Sequence, residues 1–224
     1  MPRIARIVAV GYPHHITQRG NYQQKIFADN TDRKKYLSFL RVECKKYGSA
    51  ILAYCLMPNH VHFIGIPKKE DSMGKAFKYA HMKYSQYYNK KMCTVGHLFQ
   101  GRFFSCIMDE QHTLACARYI ERNPVRAKMV KNPSFWKWSS ARVHCGIVEH
   151  DGLEANELFD YVRERQQDWK AFIGISDNLD KVMQIRQQTV RGRPLGDNNF
   201  IEKLEKELKR SLKLKPKGRP KKEA

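Results

Sequence analysis

Short blocks of apolar residues, with two different periodicities, organise the first two thirds of this chain. Runs of strand length and strand composition occupy four ranges: 14–19, 51–57, 60–66 and 103–108. Apolar residues at helical spacing occupy three further ranges: 29–48, 72–88 and 109–122. The resulting order is β-α-β-β-α-β-α, with Pro58-Asn59 as the turn of a central hairpin. This order predicts an α+β domain, an antiparallel β-sheet with packed helices, that ends near Gly146.

The remaining third of the chain is predicted to be helical and then disordered. The acidic segment 151–180 carries a stripe of five apolar residues: Leu158, Tyr161, Val162, Trp169 and Phe172. A further helix is expected from Asn198 to Leu212, and almost no apolar side chains follow it. We therefore divide the chain into a domain of residues 1–146, a helical C-terminal extension of residues 147–212 and a disordered basic tail of residues 213–224.

Composition and cysteine spacing narrow the class of protein. No run of 18 apolar residues occurs, so no membrane span is predicted. The opening residues MPRIARIVAVGYPHH lack the apolar stretch of a signal peptide, so we expect a cytoplasmic protein associated with the nucleoid. The 6 cysteines form no C-x-x-C pair and are expected to be small, buried and apolar in character rather than metal ligands.

The chain is strongly basic. Its 42 Lys and Arg residues exceed its 22 Asp and Glu residues and give a net charge of +20. The excess lies in residues 1–150 and 181–224, on either side of the acidic segment 151–180. Such a charge favours nucleic acid as partner over a membrane surface, because no long amphipathic helix with a bulky apolar face is evident. A basic protein without such a partner is the alternative.

His60 and His62 form an H-x-H pattern within the strand predicted over 60–66. Side chains two residues apart in a strand project from the same face, so the two imidazoles lie side by side while Val61 points the other way. Two neutral imidazoles placed in this way can bind one divalent cation. Two strand histidines that face solvent or form hydrogen bonds are the alternative, and the pattern alone does not decide between them.

Tyr119 and Asn123 lie four residues apart, one turn apart on the same face of a predicted helix. Three arginines flank the pair: Arg118, Arg122 and Arg126. A phenol near cationic groups is a candidate nucleophile toward phosphate. A free phenol has a pKa of about 10, so it needs a metal or a cationic field to ionise. A half-buried tyrosine on an amphipathic helix is the alternative.

Five segments occur in the order found in a known family: HITQRGNYQ (15–23), LMPNHVHFI (56–64), GHLFQGRF (96–103), ARYIERNPVRA (117–127) and WSSAR (138–142). On these segments the chain resembles the single-tyrosine HUH transposases, specifically the branch associated with repetitive extragenic palindromes (REP). The likeness covers nearly all of residues 12–145. It implies the ferredoxin-like α+β core of the HUH nucleases.

The resemblance also implies roles for four residues. His60 and His62 would bind a divalent metal, Mg²⁺ or Mn²⁺, and Asn123 would complete the site, where related insertion-sequence enzymes commonly carry Gln. Tyr119 would attack a DNA phosphate and form a 5′-phosphotyrosine. The implied substrate is single-stranded DNA that contains REP-like hairpins, and the implied state is a monomer. No phosphate-loop motif occurs, so no nucleotide cofactor is expected.

Eight arginines are candidate DNA contacts: Arg19, Arg102, Arg118, Arg122, Arg126, Arg191, Arg193 and Arg219. The last three lie in two G-R-P motifs, at 191–194 and 217–222. In such a motif Gly permits close approach, Pro fixes an extended path, and Arg can enter the narrow minor groove of A·T-rich duplex DNA. A solvated basic tail that adds sequence-independent affinity is the alternative.

The leading interpretation is an enzyme: a metal-dependent transposase that cleaves and rejoins single-stranded DNA. One alternative is a catalytically idle, palindrome-binding regulatory protein, although His60, His62 and Tyr119 are all present. Another is a metal-dependent phosphodiesterase that uses water as nucleophile. These interpretations differ in whether a phosphotyrosyl adduct forms.

Overall fold

Four strands build one antiparallel sheet in the structure of the chain, a computed structural model that describes residues 6–149, 153, 155–162 and 168–212. They are β1 (His14–Arg19), β2 (Ser49–Leu56), β3 (His60–Pro67) and β4 (Phe104–Ile107). The order across the sheet is β2-β3-β1-β4. The central strand β1 pairs with both β3 and β4. The predicted α+β fold with an antiparallel sheet is confirmed.

Helices in the described ranges are α1 (Asn30–Tyr47), α2 (Ser72–Met92), α3 (Glu110–Glu121), α4 (Asn123–Arg126), α5 (Ala141–His144), α6 (Leu158–Val162), α7 (Trp169–Gly174), α8 (Leu179–Arg191) and α9 (Asn198–Leu208). As predicted, α1 begins after a capping residue, Asp29, and ends at Gly48, which adopts a left-handed conformation. The helix α2 is four residues longer than predicted. It continues through polar residues and ends only where Cys93 becomes left-handed, at φ 52°.

The sheet is covered by helices on both faces. On one face α1 and α2 pack over Ile16 and Phe63, with Phe77 and Tyr84 fully buried in that core. On the other face α3 packs together with α6, α7 and α8. Glu121, at the end of α3, accepts hydrogen bonds from Trp169 Nε1 of α7 and from Ser140 Oγ, just before α5. These bonds link α3 to α7 and to the start of α5.

The single helical segment predicted for 151–180 is only partly confirmed. Asp168 and Asn178 each cap the start of a new helix, so the described part contains α6, α7 and the beginning of α8. The helix predicted over 198–212 ends earlier, at Leu208, because Lys209 adopts a left-handed conformation. The division into residues 1–146, 147–212 and 213–224 stays a prediction, and the last of these segments lies outside the described residues.

Most predictions about cysteine burial are confirmed. Four cysteines are buried thiols, Cys44, Cys55, Cys106 and Cys116, and all six are free. The prediction is wrong for Cys93, which is exposed at the end of α2, and Cys145 is only partly buried. None of the helices in the described ranges combines the length and apolar character needed to span a bilayer.

The first G-R-P motif lies directly at the end of α8, and its predicted role in duplex DNA binding stays a prediction. Gly192 adopts φ 64° and ends α8, and the N–H of Arg193 donates to the carbonyl of Gln188. Two residues later, the N–H of Leu195 donates to the carbonyl of Ile107 at the edge of the sheet. The motif is therefore a helix cap that leads into a sheet contact. The second motif, with Arg219, lies outside the described residues.

Candidate active site

The hairpin between β2 and β3 presents His60 and His62 on the sheet face that α3 covers. The N–H of Met57 donates to the carbonyl of His60 and closes the turn. Val61 points into the opposite core, as the strand period requires. The two imidazole rings are 5.0 Å apart between centroids.

Hydrogen bonds assign the tautomer of His60. The side-chain amide of Asn59 donates from Nδ2 to the carbonyl of Gln23, which places its oxygen toward the imidazole. That oxygen lies 2.7 Å from His60 Nδ1 and accepts its proton. The lone pair of His60 is therefore on Nε2, as a metal ligand requires.

A longer chain of hydrogen bonds assigns the tautomer of His62. The hydroxyl of Thr189 donates to the carbonyl of Ile185 and accepts from His15 Nδ1, at 2.7 Å for each bond. His15 Nε2 thus carries a lone pair and accepts from His62 Nδ1, at 2.9 Å. The lone pair of His62 is therefore also on Nε2. His15 and Thr189 were not identified from the sequence.

Burial keeps these imidazoles neutral. It lowers the pKa of His60 to about 4, with Arg19 and Arg186 adding to the effect. It lowers the pKa of His15 to about 3 and that of His62 well below its ordinary value. Neutral imidazole is the form that binds metals, so His60 and His62 are in the protonation state that their predicted role as ligands requires at neutral pH.

Tyr119 projects from α3 into the same site. Its side chain is 4% exposed, and its ring stands perpendicular to His62 with centroids 5.7 Å apart. The guanidinium of Arg126 lies 4.3 Å above the ring, and Arg186 Nε donates to the phenolic oxygen at 3.4 Å. Two cationic groups thus surround the phenol and would stabilise negative charge on its oxygen.

Asn123 begins α4, one turn after Tyr119, and is 7% exposed. Its Nδ2 is buried and forms no hydrogen bond. Rotating the side-chain amide by half a turn exchanges its oxygen and nitrogen. The oxygen would then lie where Nδ2 now has no partner, and could bind a metal. In the described part of the chain no three His, Cys, Asp or Glu side chains converge on a metal site. Asn123 lines the same cavity as His60 and His62. Two imidazoles and an amide oxygen are a donor set that fits Mn²⁺ or Mg²⁺, and metal binding by these three residues stays a prediction.

One cavity of about 470 Å³ joins these groups. It is lined by residues of β1, β3, α3, α4 and α8, including His60, His62, Tyr119, Asn123 and Thr189. Three arginines also border it, Arg19, Arg126 and Arg186, and among the described residues no carboxylate does. The cavity therefore suits a phosphate group.

Other predicted DNA contacts lie outside this cavity. Arg118 and Arg122, together with Arg126, surround the buried carboxylate of Asp177, at 3.5, 2.9 and 3.2 Å respectively. These ion pairs hold the segment before α8 against α3 and α4. Arg102 borders two neighbouring cavities, and Arg191 and Arg193 border one of them. Contact of each of these arginines with DNA stays a prediction.

Comparisons with known proteins bear on the family and the fold. The profile of the family described as IS200-like transposases matches residues 10–123, a range that includes every predicted catalytic and metal-binding residue. A solved REP-associated tyrosine transposase, bound to a REP hairpin, is 20% identical, has a TM-score of 0.54 and matches 62% of this chain and 82% of its own. A candidate transposase from Deinococcus radiodurans R1 is 18% identical, with a TM-score of 0.38, over 54% of this chain and 97% of its own. No curated protein matches this chain. The first structure shares the fold described above.

Proposed function

Because the chain belongs to the family of IS200-like transposases, we propose that it cleaves and rejoins single-stranded, hairpin-containing DNA through a covalent phosphotyrosine. The family makes it a DNA-binding, DNA-cleaving recombination enzyme. The observation that carries the finer proposal is the convergence of Tyr119, His60, His62 and Asn123 on one cavity bordered by arginines. The REP hairpin bound to the similar solved protein supports a hairpin as substrate.

Nε2 of His60, Nε2 of His62 and the amide of Asn123 would hold a divalent cation, with both imidazoles oriented by the hydrogen bonds of Asn59 and His15. When bound, Mg²⁺ or Mn²⁺ would neutralise charge on the scissile phosphate, and Mn²⁺ tolerates imidazole ligands better.

Tyr119 is the proposed nucleophile. Its phenolic oxygen forms a bond to phosphorus while the bond from phosphorus to the 3′ oxygen breaks, which leaves a 5′-phosphotyrosine and a 3′ hydroxyl. The proton that the phenol loses is balanced by the proton that the departing oxygen gains. One phosphate ester replaces another, so the step is reversible and can join a second strand without a nucleotide cofactor.

The surrounding arginines would stabilise the negative charge of the phenolate and of the DNA phosphates. Arg186 and Arg126 contact the phenol and would stabilise it as it ionises. Arg19 borders the cavity from β1 and is placed to bind a phosphate of the strand. Helix α8 contributes Arg186, so the C-terminal extension is part of the proposed active site.

We also propose a monomer as the working unit. Tyr119 and both histidines border one cavity within a single chain, so a second copy is not needed to deliver the nucleophile. Light scattering during catalytic turnover of the hairpin substrate should give the mass of one chain. Activity confined to a dimer would contradict this arrangement.

The test of the proposed chemistry is covalent capture. We expect wild-type protein, a labelled single-stranded hairpin and Mn²⁺ to give a protein–DNA band on a denaturing gel. Tyr119→Phe should lose this band and keep DNA binding, whereas Tyr161→Phe, which alters a half-buried tyrosine outside the cavity, should retain it. Cleavage by Tyr119→Phe without an adduct would instead indicate a phosphodiesterase that uses water.

A further inference from the structure

A second cavity, of about 430 Å³, opens on the α2 side of the sheet, away from Tyr119. Its lining includes the rings of His81, Phe99 and Phe103, and we call it the ring cavity. The rings of His81 and Phe99 have centroids 4.5 Å apart. The guanidinium of Arg6 lies 3.5 Å above the ring of Phe103. Flat rings around a space of this size suit a flat aromatic ligand such as a nucleobase.

Gln18 of β1 provides a polar group in the lining of the ring cavity and is 2% exposed. Its Nε2 donates to the carbonyls of Gln100 and Gly101, at 3.3 and 3.5 Å, which assigns the two ends of the amide. Its Oε1 is buried and accepts no hydrogen bond. A buried acceptor without a donor is unfavourable, so a ligand that brings an N–H group would satisfy it.

The ring cavity also carries positive charge. Lys78 and Arg102 border it at exposed positions, and its lining within the described part of the chain includes no carboxylate. The surface therefore complements the phosphate that accompanies a nucleobase in DNA, and disfavours an acidic peptide.

A third cavity, of about 250 Å³, lies between the ring cavity and the active-site cavity, and we call it the connecting cavity. It shares Arg6 and Arg102 with the ring cavity, and it shares Thr189 and Val190 with the active-site cavity. Two further arginines line it, Arg191 and Arg193, and none of the described carboxylates does. Ser105 Oγ, which is buried in this lining, has no hydrogen-bond partner.

We propose that the three cavities form one track for a single strand of DNA. The ring cavity holds one unpaired base, the arginines of the connecting cavity bind the adjoining phosphates, and the strand continues to Tyr119. This inference rests on the proposed function and adds to it a base-binding site remote from the chemistry. Gln18 and Arg19 are neighbours that face opposite sides of β1, so the two sites lie on opposite faces of the sheet. A short length of the DNA strand that passes around the edge of the sheet would reach both sites.

The free acceptor on Gln18 requires an N–H donor on the bound base. Adenine, cytosine and guanine each carry an exocyclic amino group, and unpaired thymine carries an N3–H, so each of the four bases can donate to Oε1. We therefore expect N3-methylthymine, which has no N–H donor, to bind less tightly in the ring cavity than thymine.

The test measures DNA binding in EDTA, where no cleavage occurs. The probe is a fluorescein-labelled DNA hairpin with a single-stranded 5′ tail, in which each unpaired nucleotide in turn is replaced by an abasic site. For the wild-type protein we expect one position at which loss of the base weakens binding about tenfold. Restoring N3-methylthymine at that position should recover less affinity than restoring thymine.

Two variants assign that position to the ring cavity. Gln18→Met removes the acceptor with little change in volume, and Met82→Trp narrows the cavity from an exposed position that tolerates substitution. Both should lose the tenfold dependence on the base. Phe135→Ala, which removes an exposed aromatic side chain outside the cavity, should retain it. Equal melting temperatures show that the variants are folded.

The connecting cavity is tested through salt dependence. Arg102→Ala should lower the slope of log K against log salt by about 0.7, the contribution of one phosphate contact on a single strand. Arg41→Ala, on the exposed side of α1, should leave the slope unchanged. An unchanged slope for Arg102→Ala would contradict the proposed contact between Arg102 and a DNA phosphate.

Failure of this inference is distinguishable from failure of the proposed chemistry. A flat abasic profile in the wild-type protein, or the same profile in Gln18→Met and Met82→Trp, overturns the base site even if the Tyr119 adduct forms. A base-dependent profile that both variants abolish supports the base site even if no adduct forms.

Discussion

His15 Nε2 lies 2.9 Å from His62 Nδ1, so a histidine outside the H-x-H pair determines which nitrogen of His62 can bind a metal. His15 is held in turn by Thr189, a residue of α8. The orientation of a proposed metal ligand on β3 thus depends on a helix more than 120 positions later in the chain, since Thr189 is the residue that sets the His15 tautomer. The C-terminal extension would therefore be coupled to the proposed metal binding.

Thr189→Val tests this coupling. The substitution keeps the shape of the side chain and removes the hydroxyl that accepts from His15, so His15 and then His62 lose their fixed tautomers. We expect Mn²⁺ affinity to fall about tenfold, in the range typical for partners of metal ligands. Mn²⁺ titration followed by electron paramagnetic resonance measures it. Thr17→Val makes the same chemical change elsewhere in the cavity and should leave the affinity unchanged.

Asn123 tests the third metal ligand. Asn123→Ala removes the amide, and we expect weaker Mn²⁺ binding in calorimetry. Asn123→Asp places a carboxylate at the same position, and we expect affinity equal to or above that of the wild-type protein, because Mn²⁺ favours anionic oxygen ligands. Equal affinities in all three proteins would exclude Asn123 as a ligand.

Substitution of Asp177 tests whether its ion pairs with the three arginines stabilise the fold. Asp177→Ala leaves the largely buried guanidinium groups of Arg118, Arg122 and Arg126 without their carboxylate. We expect the free energy of unfolding to fall by about 3 kcal/mol, the cost of leaving buried charges unpaired. Urea denaturation measures this loss. Asp180→Ala removes an exposed carboxylate nearby and should change stability by less than about 0.5 kcal/mol.

Much of the sheet and of the helices beside it could be predicted because the sequence signals for them are local. The period-two pattern of β3 placed His60 and His62 on one face, and the cap at Asp29 and the glycine at Gly48 marked both ends of α1. The four-residue spacing of Tyr119 and Asn123 likewise brought them to one cavity. Each of these features depends on residues a few positions apart.

Contacts between distant segments could not be predicted in the same way. Thr189 carries no pattern that relates it to His15, which lies 174 positions earlier. Asp177 forms ion pairs with Arg118, Arg122 and Arg126, which the sequence indicates only as candidate DNA contacts. His15 itself had a usable signal, because it shares one face of β1 with Arg19 at the even spacing of a strand.

Buried neutral histidines predict how stability depends on pH. Burial lowers the pKa of His14 to about 4 and that of His81 to about 3. In the unfolded chain both groups titrate near pH 6.5, roughly the ordinary pKa of a histidine side chain. As the pH falls below that value, the unfolded chain binds protons that the folded chain excludes, so the free energy of unfolding decreases. The loss continues until the pH approaches the folded values.

Urea unfolding between pH 7 and pH 4.5, roughly, measures this dependence. Each of the two groups should contribute up to about 1.4 kcal/mol per pH unit below its unfolded pKa. His81→Phe keeps a ring in the cavity, removes one titrating group and should make the decline shallower. Equal stability of the wild-type protein across this range would contradict burial of neutral rings.

The attachment point of DNA is the most direct measure of the proposed chemistry. After reaction with a single-stranded hairpin and Mn²⁺, nuclease and trypsin digestion followed by mass spectrometry identifies the modified peptide. The account predicts a nucleotide remnant joined through its 5′ phosphate to the peptide that contains Tyr119. A remnant on any other residue, or a linkage through the 3′ end, would contradict it.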